Sequence, residues 1–487
     1  MTALRPPKKI VQFHFSLMFK YPVLLGACLS FLVAAGAQPA SDSAPLAEAP
    51  VIDPGDASAG QALLQLDPPE KIAARLAWWS DARFGLFIHW GLYSQWGCHY
   101  PGADGTLLNG KTEHMMRHLR LPLALYSTIA GVFNPVKFDA DEWVRTAKAA
   151  GMRYIVITSK HHDGFALWDS AANGYNVVQR TPWKRDAIRE LAAACRRGGL
   201  RFGVYYSLGR DWEDPDVPTS IKPDGNRRSN DWDWPDEKKK DFTRYFERKV
   251  KPQVRELLTN YGPIDLLWFD TPEQIKPAQS IELMRLIHGL QPACIVNQRV
   301  GNRYGDYRVA EQEIPAGGWA DAWETCMTLN RHWGHYLGDE DFKPVETVVR
   351  NLIDIASKGG NFLLNVGPTG EGVIPAGSVE RLRATGEWLA RNGEAIYGTT
   401  ASPIGKPAWG RVTQKKSADG TTLYLHVFDW PADGRLVVSG LRGEVASVAL
   451  LGGGALQAVR DAEGVVLTQL PATAPDVIST TIAVRLQ

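Results

Sequence analysis

The chain has 487 residues and a formal net charge of +1, because its 54 basic residues are balanced by 53 acidic ones. Charges mixed in this way provide no basic surface for nucleic acid or an anionic membrane, so neither is expected as a partner. The five cysteines include no C-x-x-C pair, which argues against a thiolate metal centre. The thiols expected to be mostly free and buried are those of Cys98, Cys195, Cys294 and Cys326.

Residues 1–37 have the pattern of an export signal. Basic residues are spread over positions 5–20, an apolar segment follows at 21–35, and small residues occupy 35–37, as a signal peptidase requires. The apolar segment is too short for a stable membrane span. The pattern predicts a periplasmic or secreted protein.

Cleavage after Ala37 leaves Gln38 as the predicted mature N-terminus. The alternative is a lipoprotein box that ends at Cys28, but the apolar segment continues well past this cysteine, which favours ordinary cleavage. Residues 38–60 are rich in Ala, Ser, Pro and Asp and are predicted to be a disordered spacer.

Residues 61–398 alternate between apolar strands and amphipathic helices. The helical pattern at 141–150 ends at Gly151, and a second one at 185–197 ends at two glycines. This order predicts an α/β fold with a parallel sheet, and polar residues at successive strand ends indicate an irregular (β/α)8-like, TIM-type barrel with one pocket. The predicted strands occupy 84–91, 154–159, 202–207, 264–270 and 295–299.

Residues 399–487 lose the α/β alternation. Short β-type segments separated by turn residues predict a small C-terminal antiparallel β-sandwich. These segments are 422–428, 435–438, 445–451 and 478–486.

Asp270 ends the apolar strand 264–270 and is followed by Thr271 and Pro272. An Asp before Pro can simply begin a turn, but other predicted strands also end on polar or aromatic residues. The carboxyl ends of parallel strands are where such barrels bind and react, so Asp270 is expected to face a ligand. The chain also has 17 tryptophans, many near strand ends, and aromatic rings beside polar groups are typical of a carbohydrate site.

A retaining glycosidase needs two carboxyl groups about 5–5.5 Å apart. Asp270 is one, and the candidates for the other are Glu311, Glu313 and Glu324. Glu324 follows Trp323, whose ring is expected to bury it and favour its protonated form. Glu311 is expected in a loop rich in Gly and Pro that folds over the site.

His161 and His162 raise the alternative of a metal site. Adjacent residues on a strand point to opposite faces, so both bind one ion only if the chain turns there. No H-E-x-x-H motif is present, and neutral histidines that bind sugar hydroxyls are favoured, with no metal or cofactor. Two other functions stay open: a metal-dependent barrel hydrolase that uses His89 and Asp270 with this pair, and a non-catalytic carbohydrate-binding barrel.

Four segments, 84–91, 160–165, 267–270 and 361–368, resemble in order the landmarks of the α-L-fucosidases of glycoside hydrolase family 29. The resemblance extends from about Asp67 through the C-terminal sandwich. It implies an irregular (β/α) barrel, a retaining mechanism without metal, and a substrate with a terminal α-L-fucosyl residue on an oligosaccharide or glycoconjugate. The linkage and the aglycone depend on loops outside these segments.

By this resemblance, Asp270 matches the nucleophile. Glu311, twelve residues after Arg299, matches the acid/base of some members, and Glu324 matches a residue given that role in others; Glu311 is ranked first. At position 113 the family has a Glu-Trp pair, but here His114 follows Glu113. The residues that match ligands of the sugar are His89, Glu113, His161, His162, Tyr205, Trp268 and Arg299. Phe87 or Trp268 is expected to contact the C5 methyl group of fucose.

Overall fold

The computed structural model describes residues 62–220, 227–462 and 464–487. Eight parallel strands form one sheet in the order β5-β4-β3-β2-β1-β8-β7-β6. An isolated parallel bridge between Asn297 and Tyr307 links the two edge strands, so the sheet curls into an irregular barrel, as predicted. The strands are β1 (Phe84–Ile88), β2 (Tyr154–Lys160), β3 (Arg201–Ser207), β4 (Leu266–Asp270), β5 (Ile295–Val296), β6 (Arg308–Glu311), β7 (Trp323–Thr328) and β8 (Asn361–Val366).

Helices connect these strands. The predicted helices near 141–150 and 185–197 are present and are capped by Asp139 and Asp186, whose side chains accept from backbone N–H groups of the first turn. The longer helices are Pro69–Ala82, Ala140–Ala149, Ala187–Gly198, Lys251–Asn260, Pro277–Leu290, Val345–Ser357 and Ala376–Asn392. The four-residue helices are Met115–His118, Leu123–Tyr126, Val177–Arg180 and Phe242–Tyr245.

The inside of the barrel is a packed core that is sealed at the amino ends of the strands. Helix Pro69–Ala82 inserts Trp79 into the same apolar cluster as Phe87 and Trp268. Gly85 of β1 is required there, since a Cβ atom at this position would lie 2.4 Å from the ring of Tyr154. Because the strands are parallel, the polar residues that end them lie together at the opposite, carboxyl rim.

The C-terminal part consists of two antiparallel sheets that share one apolar core, which includes Leu425 and Ile482 from one sheet and Val438 and Leu467 from the other. The four-stranded sheet contains, in order, Gly410–Ser417, Gly420–Val427, Thr480–Leu486 and Val445–Leu450, and the three-stranded sheet contains Leu436–Val438, Gly464–Thr468 and Gln457–Asp461. The predicted sandwich is confirmed.

The sandwich packs against the barrel, and both lie in one compact unit. Arg411 forms an ion pair with Asp354, and the Nε–H of Arg350 donates to the backbone oxygen of Ile478 at 3.0 Å. The division between domains at residues 398 and 399 remains a prediction.

The four cysteines of the barrel are free and buried, as expected. Within the described ranges, no helix has the length and apolar character needed to cross a membrane. The predicted export signal, the alternative at Cys28 and the spacer at 38–60 lie outside the described residues.

Candidate active site

Asp270 is the last residue of β4, and three donors hold its carboxylate. The Tyr205 hydroxyl donates to Oδ2 at 2.7 Å, while Arg299 Nη1 and the backbone N–H of Thr271 donate to Oδ1 at 2.8 and 2.9 Å. Burial raises the pKa of Asp270, but the positive charges of Arg299 and Arg210 and the donated hydrogen bonds outweigh it, so the pKa lies below its usual value. Asp270 is therefore an oriented carboxylate at neutral pH.

Arg299 joins Asp270 to a second carboxyl group. Its Nη2 donates to Glu311 Oε2 at 2.7 Å, and its guanidinium carbon lies 5.0 Å from the centre of the Trp268 ring. The side chain of Glu311 is 33% exposed, compared with 13% for Asp270, so Glu311 is the more accessible of the two. One cation thus holds two carboxyl groups from different strands at the same rim.

The expectation that Glu311 lies in a loop is wrong. Glu311 is the last residue of β6, and the segment rich in Gly and Pro begins after it. The residues that follow the two carboxylates, Thr271 and Gln312, have φ of 56° and 58°. This left-handed conformation costs a non-glycine residue roughly 1–3 kcal/mol, and it turns the chain away where each strand ends. The strain is typical of functional sites.

Glu324 lies deeper in the barrel than Glu311. It is the second residue of β7, and Glu311 is in register with Cys326, two residues nearer the carboxyl end. Glu324 is fully buried, and its two oxygens accept from the Tyr154 hydroxyl at 2.6 Å and from the indole Nε1–H of Trp268 at 3.0 Å. Burial raises its pKa to about 7.

The indole that buries Glu324 therefore comes from β4 and not from the adjacent Trp323. Side chains alternate along a strand, so Trp323 faces the outside of the barrel, where its Nε1–H donates to the backbone oxygen of Lys358 at 3.4 Å. Trp268 separates Glu324 from Arg299, since one end of the indole binds Glu324 and the guanidinium lies over its ring. Glu324 can thus act on the rim by positioning Trp268.

His161 and His162 lie in a turn after β2, and their ring centroids are 4.1 Å apart. The turn brings both rings to one side of the chain. As expected from the sequence, the two histidines can contact one ligand only because the chain turns here. His162 Nδ1 lies 2.6 Å from Ser207 Oγ, and its Nε2 is 3.7 Å from Asp270 Oδ2. The His161 ring stacks on the Tyr205 ring, with 5.6 Å between the two ring centroids. Burial lowers the pKa of both histidines well below the usual value, so both are neutral.

His89 and Glu113 border the same pocket. His89 Nδ1 lies 2.7 Å from Asn365 Oδ1, and its ring centre is 5.7 Å from that of His161. Burial lowers the pKa of His89 to about 4. Burial raises the pKa of Glu113 above its usual value, and the negative charge of Glu311 adds a smaller effect in the same direction.

Some aromatic side chains of the barrel are buried in its core, and others lie beside the histidines of the site. Phe87 packs its ring 4.5 Å from His89, 5.1 Å from Trp268 and 6.0 Å from Trp333. Three of the tryptophans near predicted strand ends are only partly buried: Trp96, Trp319 and Trp333. The ring centroid of Trp333 lies 5.0 Å from that of His89. The other five tryptophans near predicted strand ends are almost fully buried: Trp90, Trp168, Trp212, Trp268 and Trp323. The abundance of tryptophan thus serves mainly the core.

Three residues of the site were missed from the sequence. Ser207 binds His162, Asn365 binds His89, and the charge of Arg210 helps to lower the pKa of Asp270. Ser207 ends a predicted strand and Asn365 lies in a family-like segment, so their positions were available as a signal. Arg210, which is buried and forms an ion pair with Glu273, has no such motif.

A third histidine faces the pair that follows β2. His114, His161 and His162 each offer a ring nitrogen, and these atoms all lie within 4.8 Å of one another. In the part of the chain that the structure describes, this is the group of His, Cys, Asp and Glu side chains able to hold a metal ion. It differs from the set that the sequence suggested, since His114 takes the place of His89 and Asp270.

Comparison with known proteins shows one family. The α-L-fucosidase family profile matches residues 65–394. The plasma α-L-fucosidase of Rattus norvegicus is 32% identical over 409 residues, which cover 78% of this chain and 83% of that protein. The α-L-fucosidase isoenzyme 1 from Paenibacillus thiaminolyticus is similar in structure, with a TM-score of 0.75 at 37% identity over 86% of this chain and 100% of that one. An α-L-fucosidase of glycoside hydrolase family 29 from Bacteroides thetaiotaomicron has a TM-score of 0.74 at 27% identity, covering 87% of this chain and 96% of that one.

Proposed function

Because the chain belongs to the α-L-fucosidase family, glycoside hydrolase family 29, we propose that Asp270 and Glu311 carry out its retaining hydrolysis of terminal α-L-fucosyl residues. The observation that carries the assignment is the bridge by Arg299, which binds both carboxyl groups at 2.8 and 2.7 Å. A retaining enzyme needs its two carboxyls on either side of one glycosidic bond. Both also end strands at the rim, where a glycan can reach them.

In the first step, a carboxylate oxygen of Asp270 attacks the anomeric carbon while Glu311 gives its proton to the leaving glycosidic oxygen. The lowered pKa of Asp270 keeps the nucleophile ionised. In the second step, Glu311 takes a proton from water, which attacks the same carbon and releases Asp270. Two inversions at one carbon give net retention.

The pocket suits a 6-deoxy sugar. The C5 methyl group of fucose needs an apolar contact, which Phe87 or Trp268 provides. Its hydroxyl groups need directional partners, and neutral imidazoles both donate and accept hydrogen bonds. We assign this role to His89, His161 and His162, which lie near Asp270, and to Glu113, whose carboxyl lies 3.7 Å from His114 Nε2.

The test is to follow hydrolysis of nitrophenyl α-L-fucoside by NMR from the first turnovers, in EDTA. The α-anomer of fucose is expected to form first and to mutarotate later. Initial release of the β-anomer contradicts a retaining mechanism, and loss of activity in EDTA favours the metal-dependent hydrolase. A panel of α1,2-, α1,3-, α1,4- and α1,6-fucosylated oligosaccharides then shows which linkages are accepted.

Export is a separate proposal, supported by the basic and apolar pattern of residues 1–37. We expect the protein produced in a Gram-negative host to begin at Gln38 and to be recovered from the periplasm or the medium. Mass spectrometry of the intact protein and N-terminal sequencing check this. Acylation at Cys28, or a retained Met1, contradicts it.

A further inference from the structure

We propose that His114, His161 and His162 bind a divalent transition-metal ion such as Zn²⁺, and that the bound ion inhibits hydrolysis. The ring nitrogens of the three residues lie within 4.8 Å of one another. On a tetrahedral zinc ion, with Zn–N distances of about 2.0–2.1 Å, neighbouring nitrogens are roughly 3.3 Å apart. A contraction of at most about 1.5 Å between any two of these nitrogens therefore completes three ligands of the site.

His162 is already arranged as a ligand. The Ser207 hydroxyl donates to the backbone oxygen of Arg210 at 2.7 Å, so its oxygen accepts from His162 Nδ1–H at 2.6 Å. The proton on Nδ1 leaves a lone pair on Nε2. A hydrogen bond that fixes the tautomer and orientation of an imidazole is the usual support of a metal-binding histidine.

His161 offers a second nitrogen. Its Nδ1 is buried and has no hydrogen-bond partner within the described residues, although the residue is only 5% exposed. Leaving a buried polar atom unpaired costs roughly 1–3 kcal/mol, so a ligand that takes up its lone pair is favoured there. Its ring centre lies 5.7 Å from that of His114, and the two rings are nearly parallel.

His114 is the third ligand, and it lies just before the short helix Met115–His118. Its side chain is 20% exposed, which leaves an entry path and room for adjustment. Its Nε2 lies 3.7 Å from Glu113 Oε1, and His162 Nε2 lies 3.7 Å from Asp270 Oδ2. These two carboxyl groups favour a cation. The positive charge of Arg210 opposes it, but Arg210 is paired with Glu273.

The expected inhibition follows from the position of the ion, and it rests on the proposed function. The expected metal binding does not rest on the proposed function. The ion uses the lone pairs of His161 and His162, which are the groups assigned to the sugar hydroxyls, and it lies beside Asp270. Metal and fucoside therefore compete for one pocket. A tryptophan at position 114 removes one of the three ligands.

Metal binding is tested independently of activity. EDTA-treated protein is titrated with Co²⁺ while the visible absorption of the protein is recorded, and the bound Co²⁺ is then displaced with Zn²⁺. We expect one tetrahedral site per chain in the wild type and in Asp270→Asn. His114→Trp should lose the tetrahedral band. The matched control is His118→Gln. His118 ends the short helix that begins just after His114, and its ring centroid lies 5.9 Å from that of His114. This variant should keep the band.

Activity provides the second readout. Zn²⁺ should inhibit the wild type competitively with nitrophenyl fucoside, and His114→Trp should weaken this inhibition at least about tenfold, as expected for loss of a ligand. Equal inhibition of wild type and His114→Trp overturns the assignment, and so does the absence of a cobalt band. Activation by Zn²⁺ overturns the inhibitory role. If the protein binds cobalt but hydrolyses no fucoside, the proposed function has failed and the metal site has not.

Discussion

Replacing Asp270 with Asn is expected to lower kcat by roughly 10⁴-fold or more, since removal of a nucleophile leaves no route to the covalent intermediate. The fold should survive, because the amide oxygen can still accept from Tyr205 or Arg299 and the second arm of Arg299 still binds Glu311. Nitrophenyl fucoside kinetics and circular dichroism of the same sample measure the two effects. Residual activity above about a tenth of the wild type contradicts the assignment.

Asp265→Asn is the matched control. Asp265 lies near the amino end of β4, its side chain is 13% exposed like that of Asp270, and it forms an ion pair with Arg201 at 2.8 Å. The two carboxylates thus share exposure and an arginine partner but lie toward opposite ends of one strand. Asp265→Asn should leave kcat near the wild-type value, so a comparable loss in both variants indicates damage to the barrel instead of the chemistry.

Azide adds a chemical test. In Asp270→Ala the shortened side chain leaves space for a small anion beside the anomeric carbon. Azide should enter there, displace the leaving group from the face that Asp270 attacks, and give β-fucosyl azide with partial recovery of rate. If the rate recovers but the product is α-fucosyl azide, Asp270 does not lie on the face of the sugar that the nucleophile attacks, and the assignment is contradicted.

The sequence was most informative where apolar runs are long. Strands β1 to β4 are buried on both faces, so they read as nearly continuous apolar segments. β2, β3 and β4 end on a polar residue, and β1 is followed at once by His89. Strands β6, β7 and β8 were not predicted, and β8 was noted only as a segment of the family resemblance. In β6 and β7 the apolar pattern is interrupted by Arg308, Glu311 and Thr325. This is why Glu311 was expected in a loop. A polar residue inside a barrel strand is stabilised by a partner that is close to it in space, and the sequence does not reveal this partner.

The depth of a residue in the barrel was also hidden. Glu311 and Glu324 are both carboxylates on neighbouring strands, and the choice between them depends on strand register, which places Glu311 two residues nearer the rim. These two strands are parallel, so no tight hairpin turn joins them and fixes their register, and the sequence alone does not show how they pair. The family resemblance supplied both candidates but could not place either in space.

The second large effect is expected from Glu311→Ala. A general acid matters most when the leaving group is poor, because a good leaving group departs without a proton. The variant should therefore lose roughly 10²–10⁴-fold of its rate on a fucosylated oligosaccharide and far less on a dinitrophenyl fucoside. With the activated substrate the intermediate forms but lacks a base for its hydrolysis.

Azide should then rescue turnover of dinitrophenyl fucoside by Glu311→Ala and give α-fucosyl azide, since it attacks the intermediate on the face that the leaving group left. The product is identified by NMR. This stereochemistry is opposite to that expected for Asp270→Ala. Together the two variants therefore assign each carboxylate to its own face of the sugar.

Glu324 supplies the comparison that decides between the two acid candidates. Glu324→Gln is preferred to Ala as the first variant, because removing the side chain leaves the Tyr154 hydroxyl and the Trp268 indole N–H without their buried acceptors, at about 1–3 kcal/mol each. If Glu324 positions Trp268, both Glu324→Gln and Glu324→Ala slow the two substrates by similar factors, and azide gives no product. A leaving-group dependence and an α-azide product with Glu324→Ala alone reverse the roles, because only the acid/base both protonates the leaving oxygen and activates the second nucleophile.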